Sequence, residues 1–134
     1  GLEFAVEEFD GTNGHLASVL WVKNTASSLE GWRYWAPNGA WTDIPGGNLK
    51  LARGWHVWHK LQIVMDYKHE RYVSLQVDDI AFDLANISYQ KRVDSQGPYM
   101  SFSIMVWNQA TAAAQAVIGN VEVGTADYPI SLLF

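Results

Sequence analysis

The stretch from Trp58 to Leu84 constrains the fold of this chain more than any other part of the sequence. Apolar residues occupy every second position in two successive segments, at Leu61, Ile63 and Met65 and then at Val73, Leu75 and Val77. A period of two is typical of β-strands that bury one face. The charged segment 67–70 predicts a hairpin loop, and Asp78-Asp79 predicts a tight turn, because Asp tolerates a left-handed backbone. The stretch therefore predicts three consecutive antiparallel strands.

Further short strands, separated by turns rich in Gly, Asn and Pro, are predicted along the rest of the chain. They cover Leu2–Phe9, His15–Val22, Gly31–Trp35, Ala40–Ile44, Tyr99–Trp107 and Gln115–Val123. Only the segment Leu84–Gln90 favours a short helical turn. Many short strands without a long helix indicate an all-β fold, in which two antiparallel sheets pack as a β-sandwich.

The segment 55–84 also resembles a known family. A Trp58-His59 opening leads into an alternating strand that ends at Asp66, and the next strand ends in Val77-Asp78. This pattern resembles the central hairpins of concanavalin A-like lectin/glucanase domains, which include laminin-G-like domains. In those domains a Gly usually follows the Val-Asp pair, where this chain has Asp79. The resemblance implies a concanavalin-like jelly roll, here without some terminal strands, and it leaves function open because that superfamily includes lectins, hydrolases and adhesion modules.

Composition limits the partners. A chain of 134 residues with 49% apolar and 17% charged residues predicts one globular domain over residues 1–134. The net charge of −5 argues against nucleic acid and anionic membranes, and no segment is long and apolar enough for membrane insertion. The absence of Cys excludes disulfides and thiolate metal sites. The apolar ends at Leu2 and Phe134 indicate contacts with neighbouring domains or subunits of a larger protein, which we expect outside the cell or at its surface.

Aromatic residues are the best candidates for binding, because the chain has seven Trp and six Tyr. Sugar rings stack on exposed indoles, while a few polar groups bind the hydroxyls. The predicted ligand-binding residues combine aromatic rings with one amide, and they are Trp32, Tyr34, Trp41, Trp107 and Asn108. Three other tryptophans are expected to fill the core, namely Trp21, Trp55 and Trp58.

Two carboxylates on the first predicted strand raise the question of catalysis. Glu3 and Glu7 are four residues apart and therefore share one face of a strand. Glycoside hydrolysis uses such a pair. The glucanases that the chain resembles place a third acid between the two, where this sequence has Ala5. We therefore predict no catalytic residue, and a glycoside hydrolase remains the third hypothesis.

Calcium is the one metal that the sequence leaves open as a cofactor. Zinc is not expected, because His56 and His59 are three apart on a strand and point to opposite faces. Calcium binds hard oxygen donors, which turns of this chain supply at Asp10, Asn13, Asp78 and Asp79. The same residues also suit ordinary turns.

The sequence thus favours a non-catalytic, carbohydrate-binding, lectin-like module whose partner is a glycan or polysaccharide. The alternative is a structural or protein-interaction domain without a sugar site. The exposure of the tryptophans separates these two hypotheses. A sugar site needs at least two exposed indoles beside polar side chains, whereas a scaffold would bury nearly all seven.

Overall fold

The computed structural model of the protein describes residues 1–24, 29–52, 57–93, 97–107, 116–122 and 130–133. These residues form strands and turns only, and no helix among them could cross a membrane. The strands are β1 (Leu2–Phe9), β2 (Asn13–Asn24), β3 (Leu29–Trp35), β4 (Trp41–Asp43), β5 (Lys60–Asp66), β6 (Arg71–Val77), β7 (Ile80–Asp83), β8 (Gln90–Val93), β9 (Tyr99–Val106), β10 (Asn120–Val121) and β11 (Ile130–Leu133).

The strands form two antiparallel sheets. The first has the order β4-β3-β2-β1-β9, and β8 joins it by pairing with the beginning of β2. The second has the order β10-β11-β5-β6-β7. The all-β, antiparallel, two-sheet architecture that the sequence predicts is therefore confirmed.

The three consecutive strands predicted from the alternating stretch are present as β5, β6 and β7. A loop over 67–70 joins β5 to β6, and Asp78 in the turn before β7 has a left-handed backbone with φ of 53°. The predicted helical turn over Leu84–Gln90 is wrong. That segment contains a turn closed by a hydrogen bond from the Ile87 N–H to the Leu84 carbonyl oxygen, and it leads into β8.

A β-bulge in β6 changes which residues face the core. The pairing of β5 with β6 shifts between Val64 and Met65, so that Val73 is the extra residue on β6. Tyr72 therefore points to the same side as Leu75, although strict alternation places it on the wetter face with the polar residues. Its side chain is fully buried.

One hydrophobic core lies between the two sheets, which gives the molecule a sandwich-like character. The first sheet contributes alternate residues of β1, β2 and β3, and the second contributes the inward residues of β5, β6 and β7. The largest of these include Phe4, Val19, Trp32, Leu61, Tyr72, Leu75 and Phe82. Leu2 packs against this core, so its side chain is not an open apolar end, and Phe134 lies outside the described residues.

The hydroxyl of Tyr72 closes a gap within the first sheet. β2 pairs with β8 up to Leu16 and with β3 from Val19, which leaves the main chain between them without a strand partner on that side. Tyr72 reaches across from the second sheet, where its oxygen accepts from the Ser18 N–H at 2.9 Å. The hydroxyl proton can go to the carbonyl oxygen of Ser18 or of Trp35, at 3.1 and 3.0 Å.

Candidate functional site

The candidate site lies on the face of the first sheet that points away from the core. On β1 the even-numbered residues face the core, so Glu3, Ala5, Glu7 and Phe9 share the outer face. The register pairs these residues with the odd-numbered residues of β9. The outer face of β9 therefore carries Tyr99, Ser101, Ser103 and Met105, and Trp107 continues the row just after the strand.

An anchored tryptophan stands at one end of this row. Trp107 is 55% exposed, yet its indole Nε1–H donates to the Glu3 carboxylate at 2.6 Å. Glu3 is only 7% exposed, and its other oxygen accepts from the Ser18 hydroxyl at 2.8 Å. A buried carboxylate with two donors fixes the edge of the ring, while the rest of the indole stays accessible. This is the arrangement of a preorganised aromatic platform.

A second aromatic group stands at the other end of the row. The rings of Phe9 and Tyr99 lie 4.4 Å apart, and the guanidinium of Arg92 lies 5.5 Å from the centre of the Phe9 ring. Arg92 also forms an ion pair with Glu7 on the same face. Tyr99 is 38% exposed. Aromatic surface, a cation and a carboxylate therefore meet at this end.

Two serines separate the aromatic ends of the row. Ser101 and Ser103 are half-buried, and they lie beside Glu7 and Ala5 of β1. The spacing of residues along a strand puts Tyr99 and Trp107 about 27 Å apart. The row thus offers serine hydroxyls between two aromatic surfaces, a combination that suits a ligand rich in hydroxyl groups.

The four predicted binding residues that the structure describes do not come together. Trp107 lies on this row, while Trp41 lies on the same face at the opposite edge of the sheet, packed at 5.0 Å against Trp35. Trp32 is 1% exposed in the core, so it offers no ring face to a ligand. Tyr34 is half-buried on the inner face against Tyr72. Asn108 lies outside the described residues.

Exposure also corrects one expectation about the remaining tryptophans. Trp58 is 49% exposed, although we expected it in the core, because it precedes β5 and does not take part in a sheet. Trp21 packs against the core as expected. Trp55 lies outside the described residues.

The carboxylates of Glu3 and Glu7 are poorly placed for joint catalysis. Both face outward on β1, but four residues of strand separate their Cα atoms by about 13 Å. Hydrolysis with retention needs carboxyl groups roughly 5 Å apart, and hydrolysis with inversion needs them roughly 6.5–9.5 Å apart. Each is also held in its own contact, Glu3 by Trp107 and Ser18 and Glu7 by Arg92.

The four candidate calcium ligands lie in two separate turns. Asp10 follows β1 and accepts from the main-chain N–H groups of Thr12 and Asn13 at 2.7 Å, and these bonds hold the pKa of Asp10 well below its usual value. Asp78 accepts from His59 and from the Lys60 N–H. Over the described ranges, no group of three or more His, Asp and Glu side chains could hold a metal ion. Calcium binding remains a prediction.

Sequence reasoning missed Tyr99 and the role of Glu3. Tyr99 had a usable signal, because alternation places it on the same strand face as Trp107. No sequence signal indicates the role of Glu3, because its hydrogen bond to Trp107 joins residues far apart in the chain.

Comparison with known proteins gives no relative. No family model matches the chain, and no curated protein or solved structure shows significant similarity to it.

Proposed function

We propose that this protein is a non-catalytic, lectin-like module that binds a glycan on the outer face of its first sheet. The observation that carries the proposal is the exposed Trp107 indole, held by the buried Glu3 carboxylate through a 2.6 Å hydrogen bond. An aromatic ring fixed before binding loses little freedom when a sugar stacks on it. Ser101, Ser103 and Tyr99 then supply hydroxyls and a second ring along the same row.

We also propose that the two sheets form a concanavalin-like jelly roll. It is supported by the two antiparallel sheets, by the shared core and by the β5–β6–β7 hairpins that carry the resemblance. Catalysis is not part of the proposal, because Glu3 and Glu7 are too far apart and are both held in other contacts. A protein-interaction role is the second candidate, and the exposed apolar side chains of β9 favour it.

The test is binding of the protein to a broad panel of neutral and acidic glycans, with the affinity of any hit measured by tryptophan fluorescence. Trp107→Ala should weaken binding by about tenfold or more, which corresponds to roughly 1.4 kcal/mol. The affinity of Trp107→Phe should lie between those of the original chain and Trp107→Ala, because Phe keeps an aromatic ring but cannot donate a hydrogen bond to Glu3.

Trp58→Ala is the matched control, because Trp58 is also exposed and lies away from the site. It should bind like the original chain. Equal loss in both variants, or no glycan bound by a folded protein, would contradict the proposal. A chelator added to the same titration tests the calcium prediction separately.

A further inference from the structure

The edge strand β9 is unusual among the edges of this fold. In the part of the chain that the structure describes, β9 pairs with β1 on one side only. It is eight residues long and contains no charged residue and no proline. Over the described ranges, the other edge strands have two to four residues, and β4, β7 and β8 carry charged side chains. Proteins usually protect long edges with charges, prolines or bulges, so an unprotected edge indicates a surface for strand addition.

The hydrogen-bonding groups at this edge follow from the pairing with β1. Gly1 and Trp107 exchange both main-chain hydrogen bonds, at 2.9 and 2.8 Å. Since bonded pairs alternate along an antiparallel ladder, the odd-numbered residues of β9 point their N–H and C=O groups at β1. The regular register shows no interruption. The N–H and C=O groups of Met100, Phe102, Ile104 and Val106 therefore point away from β1, to the side where none of the described residues pairs with β9.

We infer that β9 pairs antiparallel with β9 of a second copy of this chain, with the two-fold axis at Ser103. In this register Met100 bonds with Val106 of the partner and Phe102 bonds with Ile104 of the partner. In this pairing, the main-chain N–H and C=O groups of all four of these residues form hydrogen bonds with the partner. A register centred on Phe102 would set Val106 opposite Pro98, which has no N–H to donate.

The side chains of β9 fit this self-pairing. Exposed apolar residues lie at both ends of the strand, with Met100 at 55% and Val106 at 42%, and the register pairs these two. Tyr99 would lie opposite Trp107 of the partner on the outer face, a favourable aromatic cross-strand pair. β9 has no charged residue, so no like charges face each other when it pairs with a second β9. Both copies use the same surface, as a two-fold interface requires.

The dimer would also extend the outer-face row. Ser101 and Ser103 of both copies would form one hydroxyl-lined floor around the axis, with a Tyr99–Trp107 pair at each end. The dimer itself rests only on the edge of β9, so it stands or falls independently of glycan binding.

A single cysteine tests the register, because the chain has none of its own. Ser103→Cys should form an intermolecular disulfide under mild oxidation, because residues opposite each other in a non-bonded pair have Cα atoms about 4.5 Å apart. Ser101→Cys is the matched control on the same face. Its two copies would lie about 13 Å apart along the strand, so it should stay uncrosslinked.

Sedimentation velocity over a concentration series tests the dimer without crosslinking. The original chain should show a monomer–dimer equilibrium, and Met100→Lys should shift it to monomer. Val93→Lys should leave the equilibrium unchanged, because it adds the same charge at a position on β8, away from β9, where Val93 is 87% exposed. A monomer at every concentration, or crosslinking of Ser101→Cys as readily as Ser103→Cys, would overturn the proposal.

Discussion

Two contacts of His59 favour the charged form of its side chain. Its Nδ1 lies 2.8 Å from an Asp78 carboxylate oxygen, and its Nε2 lies 2.7 Å from the Ala52 carbonyl oxygen. Burial disfavours the imidazolium, but both acceptors favour it, and together they raise the pKa of His59 above its ordinary 6.5. Both ring nitrogens of His59 therefore have an acceptor when the imidazole is charged.

The raised pKa of His59 predicts that the free energy of unfolding falls as pH rises through the folded pKa. Because the folded pKa is raised, the contribution of His59 is complete below pH 6.5 and is lost as pH rises through the folded pKa. Asp78→Asn should remove most of this fall, since a neutral amide no longer favours the imidazolium, while Asn still tolerates the left-handed backbone. The measurement is the free energy of urea unfolding at several pH values from 5 to about 9.

The outcome at Asp78→Asn separates the ion pair from a simple turn effect. A variant that is weaker by the same amount at every pH would assign Asp78 to the turn alone. A variant whose loss is largest at low pH and fades as pH rises would support the pairing with His59.

Among the elements, β6 shows where prediction from sequence succeeds and fails. Alternation found β5, β6 and their turns, because each strand has one buried face. It missed the bulge at Val73, and with it the burial of Tyr72, since the extra residue is set by the pairing with β5. β3 shows the same limit, because alternation separates Trp32 and Tyr34 from Trp35 but does not say which face meets the second sheet.

The Tyr72 hydroxyl predicts a loss of stability at the scale of these elements. Tyr72→Phe would leave the Ser18 N–H buried without its partner and remove a bond to the end of β3. An unsatisfied buried donor costs about 1–3 kcal/mol. We expect that loss in the free energy of unfolding, measured by urea titration.

Tyr67→Phe is the matched control for this prediction. The Tyr67 hydroxyl is buried with no hydrogen-bond partner among the described residues, so its removal should leave stability unchanged or slightly higher. If both variants lost the same amount, the hydroxyl of Tyr72 would have no special part in joining β2 to β3.

Across the whole molecule, the sequence predicted the architecture better than the site. Sheet membership follows from local alternation, whereas the site joins Trp107 to Glu3 across most of the chain. A hydrogen bond between residues so far apart in the chain leaves no periodic pattern in the sequence from which it could be predicted. Of the predicted binding residues that the structure describes, Trp107 alone lies on the row of β9, and it lies there because the strand continues its alternation.

Three tyrosines that lie in the core or pack against it predict how the whole fold responds to alkali. Burial is the main reason that the pKa values of Tyr67, Tyr72 and Tyr89 are raised well above 10, with nearby carboxylates such as Glu8 adding to the effect at Tyr67 and Tyr89. Above pH 10 the unfolded chain therefore loses protons that the folded protein keeps, so stability falls as pH rises. Each such tyrosine contributes a slope of up to about 1.4 kcal/mol per pH unit.

Near-ultraviolet absorbance of tyrosinate and circular dichroism, followed together above pH 9, test this response. Tyrosinate from the buried rings should appear in the same pH range as the loss of sheet structure, because these rings ionise only when the sheets separate. Tyr72→Phe should reduce the slope of unfolding free energy against pH, besides lowering its value at neutral pH. Ionisation of all tyrosines before any loss of sheet signal would contradict the raised pKa values of these three tyrosines.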